Sequence, residues 1–145
     1  MKNIVEILQK AQVCRIALQG LEYPYIIPMN FGFTERAGII LYFHCAREGK
    51  KLELIRDNNK ACFEVETDVE IVPGDGACGW TTKYKSIMGN GVIDIIDDEE
   101  EKRKGLDIIM NHYTGGNEFI FNEESIKKTC VLRLTVNQIS AKAHR

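Results

Sequence analysis

The sequence lacks the features that mark a membrane, secreted or nucleic-acid-binding protein. No apolar run approaches the roughly 20 residues that a membrane helix needs, and Met1-Lys2-Asn3 leads into a polar amphipathic segment instead of a signal-peptide core. Basic residues are not in excess either, because the sequence has 19 Lys and Arg and 21 Asp and Glu, which gives a formal charge of −2. That balance argues against a general nucleic-acid or anionic-membrane binder. We therefore expect a cytoplasmic protein.

The sequence also lacks clustered metal ligands. Its five cysteines are odd in number and form no CxxC pair, and His44-Cys45 is the one close His/Cys pair. A zinc site needs clustered ligands, so we expect no structural metal and free thiols in a reducing compartment. The three histidines are scattered, and no dedicated acid–base pair is visible.

The length and the hydrophobic patterns predict one mainly β domain. A chain of 145 residues with 44% hydrophobic and 28% charged residues can bury its own core, so the predicted domain spans 1–145. Helices are predicted at 3–10, at about 47–57 and from 98 to an end at 114–117, with a short helix or turn at 123–128. Strands are predicted at 13–18, 23–33, 39–43, 61–66, 69–72, 80–93 and 130–136, with an edge strand at 137–144. Without a repeating βαβ order, this favours a mostly antiparallel barrel with helices outside.

The most distinctive stretch is 43–52, where a strand is predicted to stop at His44 and a helix to begin near Arg47 or Glu48. A helix start offers unpaired N–H groups and a partial positive charge, which suit an anion. Basic residues follow in Lys50 and Lys51, and Gly49 lets a ligand approach the backbone. The pattern fits a phosphate site; a solvated basic helix start remains the alternative.

The predicted strand 23–33 contains two prolines, Pro24 and Pro28, which rule out a fully paired central strand. Because Pro28 has no N–H, the ladder must be interrupted near Met29 and Asn30. We expect that backbone groups freed there could serve a ligand.

Residues 74–79 formally contain G-x-G-x-x-G, but a dinucleotide-binding fold needs a helix directly after that motif. The next residues, 80–93, are rich in β-branched and aromatic types and predict a long bent strand. A P-loop is excluded as well, because Gly49-Lys50-Lys51 has neither the upstream glycine nor the following Ser/Thr.

Three stretches together resemble the pyridoxamine 5'-phosphate oxidase-like split-barrel flavoproteins, in particular the nitroimidazole-resistance (Nim-like) branch. They are Tyr25-Ile26-Ile27-Pro28-Met29-Asn30-Phe31, Leu41-Tyr42-Phe43-His44-Cys45-Ala46-Arg47-Glu48-Gly49-Lys50-Lys51, and Tyr84-Lys85-Ser86-Ile87-Met88-Gly89-Asn90-Gly91. The resemblance implies a six-stranded antiparallel split barrel that forms a homodimer, with one FMN in each of two clefts at the subunit interface.

The resemblance also implies roles for ten residues. Lys50 and Lys51 would neutralise the FMN phosphate, and the backbone around His44 and Cys45 would help to hold it. The remaining six are expected near the ring or the ribityl-phosphate end: Met29, Asn30 and Phe31 along the isoalloxazine, Tyr84 and Ser86 near the ribityl phosphate, and Trp80 over the ring from the partner subunit.

The leading functional hypothesis is an FMN-dependent oxidoreductase that passes electrons from NAD(P)H to a small acceptor such as a nitro-aromatic. In such a protein the cofactor carries the electron chemistry, so no side-chain nucleophile is needed. The alternative is a non-catalytic protein that binds FMN or haem, with His44 or His144 as candidate haem ligand. True pyridoxamine-phosphate oxidation is less favoured, because the sequence has no second basic cluster for a substrate phosphate.

Overall fold

Seven strands form one antiparallel sheet flanked by four helices in the computed structural model, which describes residues 2–116 and 120–144. The helices are α1 (Lys2–Lys10), α2 (Lys50–Asp57), α3 (Glu99–Thr114) and α4 (Glu123–Lys128). The strands are β1 (Cys14–Leu18), β2 (Tyr25–Met29), β3 (Gly32–Thr34), β4 (Ile40–Ala46), β5 (Lys60–Val72), β6 (Thr81–Ile96) and β7 (Thr129–His144). Their order in the sheet is β2-β1-β5-β6-β7-β4-β3. The predicted mainly β, antiparallel class is confirmed.

The predicted six-stranded barrel needs correction. Within the described residues the sheet has seven strands and is not closed by pairing between its outer strands. The extra strand arises because the predicted strand 23–33 divides into β2 and β3 at Asn30 and Phe31. These outer strands are joined by two residues, so the sheet must curl until its two edges come near each other.

The long strands merge segments that the sequence separated. Predicted strands 61–66 and 69–72 are one strand, β5, with an irregularity in its register between Thr67 and Glu70. Predicted strands 130–136 and 137–144 likewise form β7 alone. The predicted edge strand at 137–144 is the second half of β7, which pairs with β6 alone, whereas the first half of β7 pairs with both β6 and β4. The predicted strand 80–93 is confirmed as β6, which begins one residue later, at Thr81, and continues to Ile96.

The core occupies both faces of the central strands, and β4 illustrates why. Leu41 and Phe43 are fully buried in the main core with α1 and α2. Tyr42, on the opposite face, packs with Ile109 of α3 in a second, smaller core. Successive side chains of a strand point to opposite faces, so a strand covered on both sides reads as an unbroken apolar run.

Acidic and glycine residues delimit α3 as predicted. The Asp98 side chain accepts a hydrogen bond from the Glu101 N–H at 3.0 Å, which makes it the N-cap. Gly115 follows Thr114 in the left-handed conformation with φ of 85°; the predicted helix end at 114–117 includes Asn117, which lies outside the described residues. None of the helices in the described ranges is long and apolar enough to cross a membrane.

Candidate functional site

An open groove of about 500 Å³ lies where β2 and β4 end and α2 begins. Side chains from separate stretches of the chain line it, among them Met29, Asn30, His44, Cys45, Lys51 and Lys128. Five of these six are predicted site residues, and the fold brings them together. The volume lies within the range of about 300–1,000 Å³ that small-molecule sites occupy.

The wall formed by β4 is longer than predicted. The strand does not stop at His44 but continues to Ala46, because this end pairs with the start of β7, where Ala46 faces Thr129. His44 is exposed and Cys45 is half-buried. The extra length places both side chains at the groove.

The start of α2 is also later than predicted, at Lys50 instead of 47 or 48. Gly49 is its N-cap, with φ of 146°. No atom lies within 4 Å of the position that a Cβ at residue 49 would occupy, so the space beside this backbone is open. A side chain is rarely compatible with that conformation. Gly49 supplies no side-chain cap, so the first N–H groups of α2 can donate hydrogen bonds to an external acceptor.

The two predicted phosphate lysines point to different places. Lys51 is half-buried and lines the groove. Lys50 is exposed, and its Nζ lies 5.4 Å from the centre of the Tyr25 ring, at cation–π distance. The second groove lysine is Lys128, at the end of α4. Sequence reasoning missed Lys128, because only the pairing of β4 with β7 carries it there.

The break between β2 and β3 is held by a tyrosine from α3. Tyr113 Oη accepts hydrogen bonds from the Phe31 N–H at 3.0 Å and from Asn30 Nδ2 at 3.2 Å. The same hydroxyl donates to the Gln12 carbonyl at 2.6 Å. The expectation that the interruption frees backbone groups for a ligand therefore fails for the Phe31 N–H. Nothing in the local sequence indicates this role for Tyr113.

The comparison with family models decides the identity of the fold. The model for pyridoxamine 5'-phosphate oxidase matches residues 2–143. The chain belongs to the pyridoxamine 5'-phosphate oxidase family. The resemblance seen in the sequence is thereby confirmed. A comparison with curated protein sequences gave no significant match.

Solved structures agree with this family assignment. A candidate 5-nitroimidazole antibiotic resistance protein from Bacteroides thetaiotaomicron is similar at 33% identity and a TM-score of 0.85, over 98% of this chain and 82% of that one. The flavocytochrome Anf3 from Azotobacter vinelandii shares 19% identity with a TM-score of 0.81, over 100% and 67%. An FAD and haem binding protein from Mycobacterium smegmatis shares 19% with a TM-score of 0.85, over 99% and 71%. The last two, at low identity, speak for the fold alone.

Not all the residues predicted from the family resemblance lie at the groove. Phe31 is fully buried in the main core, against the His112 ring. Tyr84 and Ser86 pair with the far end of β7, opposite His144 and Lys142. The groove, by contrast, touches the first residues of β7, which are separated from that end by roughly 40 Å measured along the strand, at about 3.3 Å per residue.

Trp80 precedes β6 at that same far end and is 54% exposed. Its neighbours on the extension formed by residues 67–72 and 81–86 include further exposed apolar side chains, Val69 at 59% and Ile71 at 66%. Within a single chain, Trp80, Tyr84 and Ser86 therefore do not line the groove. Their predicted roles depend on a second copy of the chain.

Proposed function

We propose that this chain is an FMN-binding flavoprotein that acts as an oxidoreductase. The observation that carries the proposal is the shared groove, in which Met29, Asn30, His44, Cys45 and Lys51 converge. Its size suits a mononucleotide cofactor. The family relationship, and the 33% identity to a candidate 5-nitroimidazole resistance protein, support the same class of function.

The donors in the groove fit an anionic group. Lys51 and Lys128 supply two positive charges, and the uncapped start of α2 supplies N–H groups and the positive end of the helix dipole. Gly49 lets a phosphate approach this helix end without meeting a Cβ. These residues would hold the FMN phosphate. Among the described residues no group of three His, Cys, Asp or Glu side chains is placed to hold a metal ion.

A homodimer would complete the site. The extension at residues 67–72 and 81–86 exposes Val69, Ile71 and Trp80, and clustered exposed apolar side chains are typical of interaction surfaces. A second copy bound there could bring its Trp80, Tyr84 and Ser86 to the groove that a single chain leaves open. This arrangement agrees with the split-barrel dimer inferred from the family resemblance.

Bound FMN would supply two-electron chemistry, with NAD(P)H as donor and a small, nitro-aromatic molecule as acceptor. The chain's own contribution is positional. Lys51 and Lys128 would anchor one end of the cofactor, while Met29 and Asn30 would border its ring. His44, exposed at the rim, could donate a hydrogen bond to an acceptor. The cytoplasmic location stays a prediction.

Cofactor binding is tested by titrating purified apo-protein with FMN. Loss of one charge-assisted contact costs roughly 1.5–3 kcal/mol, so Lys51→Ala should weaken FMN binding about 10- to 100-fold. Lys104→Ala, on an exposed position of α3, removes the same charge outside the groove and should leave affinity unchanged. Lys50→Ala tests whether Lys50 also contributes to the phosphate site, as the sequence predicts. Because Lys50 lies over the Tyr25 ring, we expect this variant to change FMN affinity little. Equal affinity for wild type and Lys51→Ala would contradict the phosphate assignment.

Turnover is tested on the loaded protein by absorption spectroscopy. Flavin bands that bleach on anaerobic addition of NADH or NADPH, and return with a nitro-aromatic acceptor, are the expected result. Bands that persist would favour the non-catalytic alternative. A Soret band after incubation with haem, lost in His44→Ala, would favour haem binding instead.

A further inference from the structure

Two cysteines face each other across the β4–β7 pair. Cys45 and Cys130 are direct partners in the register, so their side chains lie on the same face of the sheet. Directly opposed residues of antiparallel strands have Cα atoms about 4.5–5.5 Å apart. A disulfide requires about 4.4–6.8 Å. The two thiols are close enough to shift each other's pKa.

The pair lies between two grooves. Cys45 lines the candidate cofactor groove, and Cys130, itself only 6% exposed, lines a second groove of about 410 Å³. That second groove is bordered by four cations and two carboxylates: Arg47, Arg56, Lys102, Lys127, Asp97 and Glu99. Lys102 is 9% exposed. Neither Lys102 nor Arg56 takes part in an ion pair within the described residues.

These surroundings favour a thiolate at Cys130. The hydrogen bond from Cys45 is the largest cause, and Lys102 and Arg56 add to it, so that the pKa of Cys130 falls to about 7 despite its burial. The same hydrogen bond, together with burial, raises the pKa of Cys45. The two thiols thus share one proton, with the first ionisation eased and the second hindered. An electropositive, groove-facing thiolate is the usual setting of a reactive cysteine.

We propose that Cys45 and Cys130 form a redox-active dithiol that a small anionic disulfide oxidises to an intrachain disulfide. Cys130 is the attacking residue, and Cys45 is the resolving one. The cationic groove beside Cys130 attracts the anionic substrate. This inference does not depend on FMN binding.

The reaction balances without a further oxidant. The Cys130 thiolate attacks one sulfur of the small disulfide, whose S–S bond breaks and releases one small thiolate with its electron pair. Cys45 then loses its proton to solvent and attacks Cys130 Sγ, which releases the second small thiolate. The two departing thiolates take up protons from solvent. Two protein thiols are oxidised, and one small disulfide is reduced to two thiols.

The other cysteines supply internal controls. Cys62 and Cys78 are exposed and would form mixed disulfides unselectively, so the test uses the Cys62→Ser/Cys78→Ser protein. Cys14 is buried, and burial, followed by the Glu64 carboxylate, raises its pKa to about 12. It should therefore remain reduced.

The experiment equilibrates this protein with mixtures of reduced and oxidised glutathione, blocks the remaining thiols by alkylation and reads mass and peptide map. We expect a product that has lost two hydrogen atoms and yields a linked Cys45–Cys130 peptide, reversible with dithiothreitol. Cys45→Ser should instead stop at a glutathione adduct on Cys130. If both cysteines stay alkylatable at every glutathione ratio, the proposal is overturned, and this readout needs no variant at either position.

The role of the cationic groove has its own test. Oxidised glutathione is anionic and cystamine is dicationic, so at low salt the first should react with Cys130 several-fold faster. Added salt should shrink the difference because it screens the groove. Equal rates at low salt, or a faster reaction with cystamine, would contradict the proposed substrate class.

Discussion

Replacing Tyr113 with Phe tests the hydroxyl that holds the break between β2 and β3. The hydroxyl accepts from Phe31 N–H and Asn30 Nδ2 and donates to the Gln12 carbonyl. The substitution keeps the ring, whose centre lies 4.9 Å from that of His112. Any change in stability therefore reports the hydrogen bonds and not the packing.

The expected loss follows from which groups stay unpaired. The Phe31 N–H is part-buried and loses this partner, while Gln12 and Asn30 are exposed, so that their freed polar groups can turn to water. A buried donor left unpaired costs about 1–3 kcal/mol. Tyr113→Phe should therefore lower the free energy of unfolding by about 1–3 kcal/mol, or several degrees in Tm.

Urea denaturation at one fixed protein concentration measures this loss. Tyr23→Phe is the matched control, because Tyr23 is 73% exposed and should tolerate the change. Hydrogen exchange of the Phe31 amide should also accelerate in Tyr113→Phe alone. If both variants unfold at the wild-type urea midpoint and the Phe31 amide stays protected, the hydroxyl does not hold this break.

Two further predictions concern pH and assembly. Burial, followed by a hydrogen bond with Glu66, raises the pKa of Glu64 from 4.5 to about 7, although Arg15 opposes the shift. The folded state therefore binds this proton more tightly than the unfolded state. The resulting gain in the free energy of unfolding is complete below about pH 4.5 and is lost as the pH rises to about 7. Glu64→Gln should flatten that dependence of the urea midpoint, and an unchanged slope would contradict the assignment. Ile71→Glu, on the exposed extension, should weaken the proposed dimer in sedimentation experiments, whereas Lys104→Glu should not; a wild-type protein that stays monomeric at all concentrations would refute the interface.

Local patterns were sufficient for most helices and strands but not for their ends. Asp98 and Gly115 mark α3 by cap chemistry that works within a few residues. The end of β4 depends instead on Thr129, far along the chain, which pairs with Ala46 and extends the strand past His44. The continuity of β7 was missed for the same reason, because pairing with the distant β6 joins predicted strands 130–136 and 137–144 into one.

The candidate site divides along the same line. Met29, His44 and Lys51 belong to stretches with recognisable composition, and the fold brings all three to one groove. Lys128 and Tyr113 reach the site only through long-range packing, from α4 and α3. Phe31 is the opposite case, because the sequence predicted it at the ligand and the structure buries it in the core. An aromatic residue beside a break in a strand is compatible with either position.

The position of β7 in the sheet has a consequence for how the chain matures. This strand separates β4 and β3 from β6 and the rest of the sheet, yet it is synthesised after the other six strands of that sheet. Until it arrives, the nascent protein holds two partial sheets whose inner strands, β4 and β6, expose unpaired backbone groups. Such edges are ready templates for pairing between chains. We expect folding to be completed only after synthesis of β7, with aggregation competing most strongly in the interval before it.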